Sequence, residues 1–241
     1  MKALFFSISA LLLASISLPG QSIQVQYKKF IVPGQIEYGR WATSPEMKRQ
    51  IRDREEKMAN NVSEYYDLVA TPRQAYFSHD TTIQLAPVDE GSPWWGMMNA
   101  VKFSYAQNLR TGEVSLRSDF LPDSLCSSAN FREKYQWAPG EGLRIFAGLE
   151  CRQLVHRIDD KSQVVVWYTP SIPISAGPED FAGAPGLILA VEAPAYNFIA
   201  EKIETGNFKV EKEALPAERC LSEEAFRRKV REAAMNQFMK Q

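Results

Sequence analysis

The segment from Gln163 to Glu204 decides the fold. It reads QVVVWYTPSIPISAGPEDFAGAPGLILAVEAPAYNFIAEKIE. It begins with β-branched and aromatic residues, which are typical of a strand. Three consecutive valines indicate that both faces of this strand are covered. Leu187–Val191 predicts a second buried strand, and the alternating residues Asn197–Ile203 predict a third that is half exposed. The segment therefore predicts a sheet whose strands follow one another closely along the chain.

Proline and glycine punctuate the loop between the first two strands. They lie at Pro170, Pro173, Gly177, Pro178, Gly183, Pro185 and Gly186. Pro170 ends the first strand because proline has no N–H for the ladder. Pro185 and Gly186 occupy the central positions of a predicted type II turn, in which Gly186 takes a positive φ.

The order of residues in this segment carries a resemblance. The ordered motif is Trp167-Tyr168-Thr169-Pro170, Ile172-Pro173, Gly177-Pro178, Phe181, Gly183 and Pro185-Gly186-Leu187-Ile188-Leu189. It resembles the signature of the GLPGLI family, and Gly148–Cys151 and Gly34–Tyr38 are similar to two further family segments. The resemblance implies an exported protein of double-membrane bacteria without an established activity. The chain departs from the family pattern at Ala184, where the family has leucine, and at Ala190, where an acidic residue is common.

Two groups of residues are candidate ligand or partner contacts. The first comprises Trp167, Tyr168, Pro173, Gly177, Pro178, Gly183, Pro185 and Gly186. Alternatively, its glycines and prolines contact no ligand or partner and only set the backbone geometry of the turns. The second group is Trp94, Trp95 and Met97, in a loop flanked by glycines. If these side chains are exposed, they form an adaptable contact surface. If they are buried, they close one end of the core.

The first residues predict export. Met1–Gly20 has the form of a secretory signal, with Lys2 preceding the apolar run Ala3–Leu18 and cleavage predicted just before Gln21. The apolar run is short for a membrane span of about 20 residues. We expect a single β domain over 21–241, periplasmic or secreted, with no transmembrane segment after signal cleavage. The formal net charge of −1 gives no indication of nucleic-acid binding.

Export permits a disulfide, and the chain has three cysteines, Cys126, Cys151 and Cys220. An odd number allows at most one intramolecular bridge. Cys126–Cys151 closes the shortest loop, and Cys151–Cys220 is the alternative pairing. The two histidines, His79 and His156, stand apart from each other and from any CxxC spacing, so no metal site or cofactor is predicted.

The remaining chain predicts more strands and two helices. Strands are predicted at Ile23–Tyr27, Gln35–Trp41, Glu64–Phe77, Thr81–Leu85, Val101–Ala106, Glu113–Phe120, Leu143–Phe146, Glu150–Ile158 and Asn207–Lys212, with an irregular stretch at Leu121–Gly142. Ser44 and Ser222 each cap a predicted helix, and the first of these is a surface helix with a thin apolar stripe. The fold class is mainly β: a single antiparallel curved sheet or partly open barrel, with an early surface helix and a C-terminal helix.

No catalytic motif occurs in the sequence, such as GxSxG, HExxH or a phosphate-binding glycine loop. We expect non-catalytic binding of an apolar ligand or of an outer-membrane or periplasmic protein partner. The alternatives are a hydrolase-like enzyme of unrecognised type using Cys151 or His156, and a structural or assembly factor acting through the 170–186 loop.

Overall fold

The structure is a computed structural model, and it describes residues 22–33, 44–61, 64–82 and 101–238. Within these ranges the strands are β1 (Ser22–Ile31), β2 (Glu64–Ala70), β3 (Gln74–His79), β4 (Phe103–Asn108), β5 (Glu113–Ser118), β6 (Ser127–Asn130), β7 (Ala138–Phe146), β8 (Leu149–Arg157), β9 (Gln163–Thr169), β10 (Leu187–Glu192) and β11 (Tyr196–Gly206). The helices are α1 (Pro45–Asn61), α2 (Phe131–Lys134) and α3 (Glu223–Phe238), and a 3-10 turn spans Ala217–Arg219.

All eleven strands belong to one open antiparallel sheet, in the order β6-β5-β4-β3-β2-β1-β11-β10-β9-β8-β7. β6 and β7 are its two edges. β7 approaches β11 although three strands lie between them, so the sheet curls at this end. The predicted mainly β class, with an early helix and a C-terminal helix, is confirmed.

The valine-rich strand β9 lies in the core, as its sequence predicts. Val164–Thr169 is buried without interruption, as is Leu187–Val191 of the neighbouring β10. On one face of β9 the side chains of Arg144 and Phe146 from β7 cover Trp167, and β8 and β10 pair with its two edges. The two buried strands therefore form the centre of the fold.

The 170–186 loop folds back onto the sheet and contributes to the core. The Gln107 side-chain amide of β4 donates to the carbonyls of Gly177 and Glu179, at 2.7 Å each. The Trp137 indole donates to the Ala182 carbonyl at 2.9 Å. Phe181 is buried between these attachments. The loop is thus held by hydrogen bonds at both ends of its buried stretch.

The predicted type II turn is wrong, because Gly186 does not adopt a positive φ. Glycine is required there for another reason: a Cβ at Gly186 would collide with the Thr169 backbone. The positive φ values in this loop occur at Gly183 (88°) and at the buried Glu179 (52°). The bend therefore comes earlier in the loop than its Pro-Gly pair suggests.

Pro72 divides the segment 64–77 into β2 and β3, the break near the middle that this proline predicts as the alternative to an edge strand. Two other predicted elements differ from the structure. Residues 207–212 form no strand, and the segment that follows crosses β5, where Arg117 donates to the Glu213 carbonyl at 2.8 Å. The stretch 121–142 contains β6, α2 and the start of β7. The strand predicted at 35–41, and 83–85 of another, lie outside the described residues.

The disulfide joins Cys126 to Cys220, so both pairings through Cys151 are wrong. Cys151 lies on β8, at the opposite end of the sheet from Cys126, which directly precedes β6. Cys220 is brought to Cys126 because the Leu221 amide donates to the Cys126 carbonyl at 2.8 Å. Loop length alone does not predict this pairing, since the sheet separates the two cysteines that are nearest in sequence.

We expect Cys220→Ser to lower the free energy of unfolding by about 4 kcal/mol, because the bridge closes a loop across 94 residues. Urea unfolding of the variant against the wild type measures this loss. Cys151→Ser is the control for thiol removal without bridge loss. A Cys220→Ser variant that is as stable as the wild type would contradict the assignment.

Candidate functional site

The two edge strands of the sheet differ in whether another segment of the chain pairs with their outer side. At β6, Ser127 forms a parallel bridge with Leu221, which the adjacent disulfide fixes in place. In the described part of the chain no segment pairs with the outer side of β7. Exposed sheet edges present unpaired backbone donors and acceptors, and proteins usually cover them. The open edge of β7 is therefore the candidate functional site.

β7 also carries the two most exposed large apolar side chains of the described residues. Leu143 is 65% exposed and Ile145 is 74% exposed. They lie two positions apart, so both point to the same face of the sheet. Isolated exposed apolar residues are common, but two neighbouring ones on one face of an edge strand are typical of a contact surface.

The buried indole of Trp167 explains why these side chains face solvent. The Arg144 guanidinium lies 4.5 Å from the Trp167 ring centroid, and the Phe146 ring lies 6.0 Å from it. Both side chains point to the face of β7 that covers β9. Leu143 and Ile145 alternate with them and must therefore point away.

A shared carboxylate fixes this arrangement. Glu192 Oε1 accepts from Arg144 at 2.7 Å and from the Trp167 indole at 3.0 Å. Gly142 allows the close approach of β7, because a Cβ at this position would collide with the Trp167 ring. The open edge is thus held by a cation–π contact and two hydrogen bonds rather than by loop geometry.

Charged residues surround the apolar pair. On β8, Arg152 pairs with Leu143 and Glu150 pairs with Ile145, and both charged side chains are exposed. Arg144 is 55% exposed in spite of its bond to Glu192. A strand added to this edge would therefore meet an apolar face on one side and a guanidinium on the other.

The first group of predicted contact residues divides by exposure. Trp167, Tyr168, Gly177, Pro178 and Gly186 are buried, whereas Pro173, Gly183 and Pro185 are exposed. Trp167 is 2% exposed and serves as the surface on which β7 packs. A direct role of these residues in ligand or partner binding stays a prediction. Trp94, Trp95 and Met97 lie outside the described residues.

Sequence reasoning did not identify Leu143 or Ile145 as candidate contacts. The strand itself was predicted, and the alternation of apolar and other residues in Leu-Arg-Ile-Phe was visible. The missing information was which face of the strand is buried. That depends on Trp167 and on the position of β7 at the sheet edge, and neither follows from local sequence.

A cluster of charged side chains and tyrosine hydroxyls holds the tip of the 170–186 loop. Glu179 accepts from the Tyr196 hydroxyl at 2.5 Å and lies 3.5 Å from the Lys29 ammonium. The Lys29 ammonium is 4.5 Å from the Tyr196 ring centroid. The neighbouring Asp180 accepts from the Tyr135 hydroxyl at 2.7 Å. These contacts keep the loop on the sheet.

The thiol proposed as a nucleophile lies in an unfavourable environment. Burial raises the pKa of Cys151 to about 11, and the Glu150 charge acts in the same direction. A nucleophilic cysteine needs the opposite shift, since the thiolate is the reactive form. His156 accepts from the Gln136 amide at 3.1 Å and packs edge-on against the Tyr135 ring. The histidine is thus engaged in local packing.

The chain resembles known proteins in one sequence segment and in its fold. A family model described as a protein of unknown function (Porph_ging) matches residues 132–190, which cover β7 to β9 and most of β10. No curated protein matches the chain. Among solved structures, PNGF-II is similar in two crystal forms, both at 12% identity. The TM-scores of the two matches are 0.54 and 0.52. Each match covers 88% of this chain, and they cover 34% and 33% of the PNGF-II chain, respectively.

This chain thus spans about a third of the length of PNGF-II, and at this identity the similarity concerns the fold alone. The complex of MucA and MucB from Pseudomonas aeruginosa is also found, with 10% identity and a TM-score of 0.35. That match covers 84% of this chain and 58% of the other.

None of the helices in the described ranges is long and apolar enough to cross a membrane. No group of three or more His, Cys, Asp or Glu residues in the same ranges has the arrangement needed to bind a metal ion.

We expect the Cys151 thiol to resist alkylation in the folded protein, because it is buried and its pKa is raised. Treatment with iodoacetamide at pH 8 should leave it unmodified in native protein and label it fully in denaturant. Peptide mass spectrometry measures the modified fraction. Rapid labelling of native protein would restore the thiol-enzyme alternative.

We expect Gly142→Ala to destabilise the protein by about 1–3 kcal/mol, because its Cβ meets the rigid, buried Trp167 ring. Gly140→Ala on the same strand is the matched control, since its Cβ meets only the flexible Gln153 side chain. Urea unfolding of both variants gives the comparison. Equal effects of the two substitutions would show that Trp167 does not position β7.

Proposed function

We propose that this chain is an exported, non-catalytic module that binds an envelope protein by adding a partner strand to the open edge of β7. The observation that carries the proposal is the exposure of Leu143 and Ile145 on an edge strand whose outer side has no partner among the described residues. Strand addition uses backbone hydrogen bonds for affinity and alternate side chains for specificity.

Export is supported by two features of the chain. The first is the signal-like sequence Met1–Gly20. The second is the Cys126–Cys220 disulfide, which suits an oxidising compartment. The resemblance to the GLPGLI family points the same way, and its motif overlaps the segment 132–190 that the family model matches. We therefore propose membership of that family and a periplasmic or secreted location.

A protein partner accounts for the described residues better than an apolar small molecule does. The sheet face on which an apolar ligand would lie is filled by Phe181 and other residues of the 170–186 loop. Trp167, a predicted anchor, is enclosed by β7. The apolar surface that remains exposed lies at a strand edge, where an extended peptide has backbone groups to bind.

The charges at the β7 edge indicate which residue types a partner strand would carry. Directly opposite residues of an antiparallel pair share a face, so the residue opposite Arg144 lies beside a guanidinium. An acidic residue between two apolar residues satisfies both faces of β7. A second copy of this chain fits less well. The symmetric register that pairs Leu143 with the partner's Ile145 also places two Arg144 side chains opposite each other. We therefore expect an extended segment with an apolar–acidic–apolar pattern.

Synthetic peptides of about ten residues, long enough for one strand, test this binding. A peptide that alternates valine and glutamate should bind saturably and protect from hydrogen exchange those backbone amides of Leu143–Phe146 that point away from β8. The same peptide with lysine in place of glutamate should bind about tenfold more weakly, since it faces Arg144. Protection that arises elsewhere, or equal binding of both peptides, would overturn the proposal.

Matched variants distinguish binding at the β7 edge from non-specific association with exposed apolar residues. Ile145→Lys should weaken binding of the glutamate peptide by about tenfold or more, because it removes an apolar contact from the centre of the edge. Ile158→Lys is the control: Ile158 is 54% exposed but lies in the turn after β8. Sedimentation of the free protein supplies a further check. A dimer that Ile145→Lys converts to monomer would identify a second copy as the occupant and refute the partner strand.

A further inference from the structure

A polar groove of about 260 Å³ opens on the sheet face opposite the 170–186 loop. Its floor spans β2, β1 and β11, where Asp67, Gln26 and Lys202 lie side by side in one row of the ladder. Gln24 and Glu204 form the next row. All five side chains line the groove. It is separate from the β7 edge, and the inference drawn from it does not depend on the proposed function.

The wall at the end of β3 is rigid. Asp80 is 7% exposed and lines the groove together with Thr82. Its Oδ1 accepts from the Thr82 amide at 2.8 Å and from the Thr82 hydroxyl at 2.6 Å, and its Oδ2 accepts from the Gln26 side-chain amide at 3.2 Å. These bonds hold the pKa of Asp80 below its usual value in spite of its burial. Asp80 therefore contributes a fixed negative charge.

The lining carries more negative than positive charge. The carboxylates are Asp67, Asp80 and Glu204, and the only ammonium among the lining residues is that of Lys202. Lys202 lies 3.0 Å from Glu204, and its side chain is 63% exposed. Within the described ranges no salt bridge involves Asp67. Burial and the nearby Asp80 charge raise its pKa, against a hydrogen bond from Gln24 and the charge of Lys202. The groove thus carries more negative charge than its single ammonium balances, since neither Asp67 nor Asp80 forms a salt bridge among the described residues.

We propose that this groove binds a primary ammonium group, with Asp67 as its counter-ion. An ammonium offers three N–H donors around a compact charge. The Asp67 carboxylate, the side-chain carbonyl of Gln26 and the remaining acceptor capacity of Asp80 are the oxygens available to them. A metal ion fits less well, because these residues do not form a metal-binding group. The ammonium comes either from a small amine or from a lysine side chain of a protein.

Titration monitored by NMR of the Gln24 and Gln26 side-chain amides tests this assignment. The probes are putrescine, Nα-acetyl-lysine methylamide and tetramethylammonium, all at matched ionic strength. Both N–H donors should produce saturable shifts, whereas tetramethylammonium, which has none, should not. Tighter binding of putrescine identifies a small amine as the source, and tighter binding of the lysine derivative identifies a protein side chain. Equal shifts with tetramethylammonium would leave only non-specific cation attraction and overturn the proposal.

Two variants change the groove charge in opposite directions. Asp67→Asn should weaken amine binding by about tenfold, since it removes the counter-ion at constant size. Lys202→Gln should tighten binding, because it removes the competing ammonium, and misfolding cannot mimic a gain in affinity. Glu232→Gln and Lys209→Gln repeat each charge change at exposed positions outside the groove. Unchanged affinity in both groove variants would refute the site.

Discussion

The burial of Trp167 on β9 is the contact on which the rest of this sheet depends. Its ring requires cover on the face opposite the 170–186 loop, and β7 provides that cover through Arg144 and Phe146. Glu192 then binds both the indole and the guanidinium. Because this contact uses one face of β7, the other face must point to solvent. The apolar edge is therefore a direct consequence of how the core is closed.

The second constraint is the attachment of the 170–186 loop to the sheet. A loop on a buried face must satisfy its own backbone groups, and here Gln107 bonds two of its carbonyls. Glu179 adopts a positive φ in order to place its carboxylate beside Lys29 and Tyr196. A non-glycine residue in this conformation is costly, so the surrounding contacts must over-determine it. The loop therefore functions as part of the core layer.

Much of the fold is predictable from local sequence, for reasons that particular residues show. The valines of β9 and the Ser222 cap of α3, whose hydroxyl accepts from the Ala225 amide, depend on interactions within a few residues. The disulfide partner of Cys126 and the exposure of Ile145 depend on strand order across the whole sheet. Sequence spacing contains no information on that order. Residues of the candidate edge therefore became visible only when their neighbours on β8 and β9 were in place.

The Cys126–Cys220 bridge also determines how this chain responds to mechanical force. The bridge encloses β6 to β11 in a covalent ring that includes the two buried strands β9 and β10. A pull on α3 is transmitted directly to β6, and the chain between the two cysteines, which are 94 positions apart and would span about 300 Å when extended, cannot lengthen. An unfoldase that engages the C-terminus would have to translocate two chain segments at once. Cleavage at a single site within the ring would leave both fragments joined.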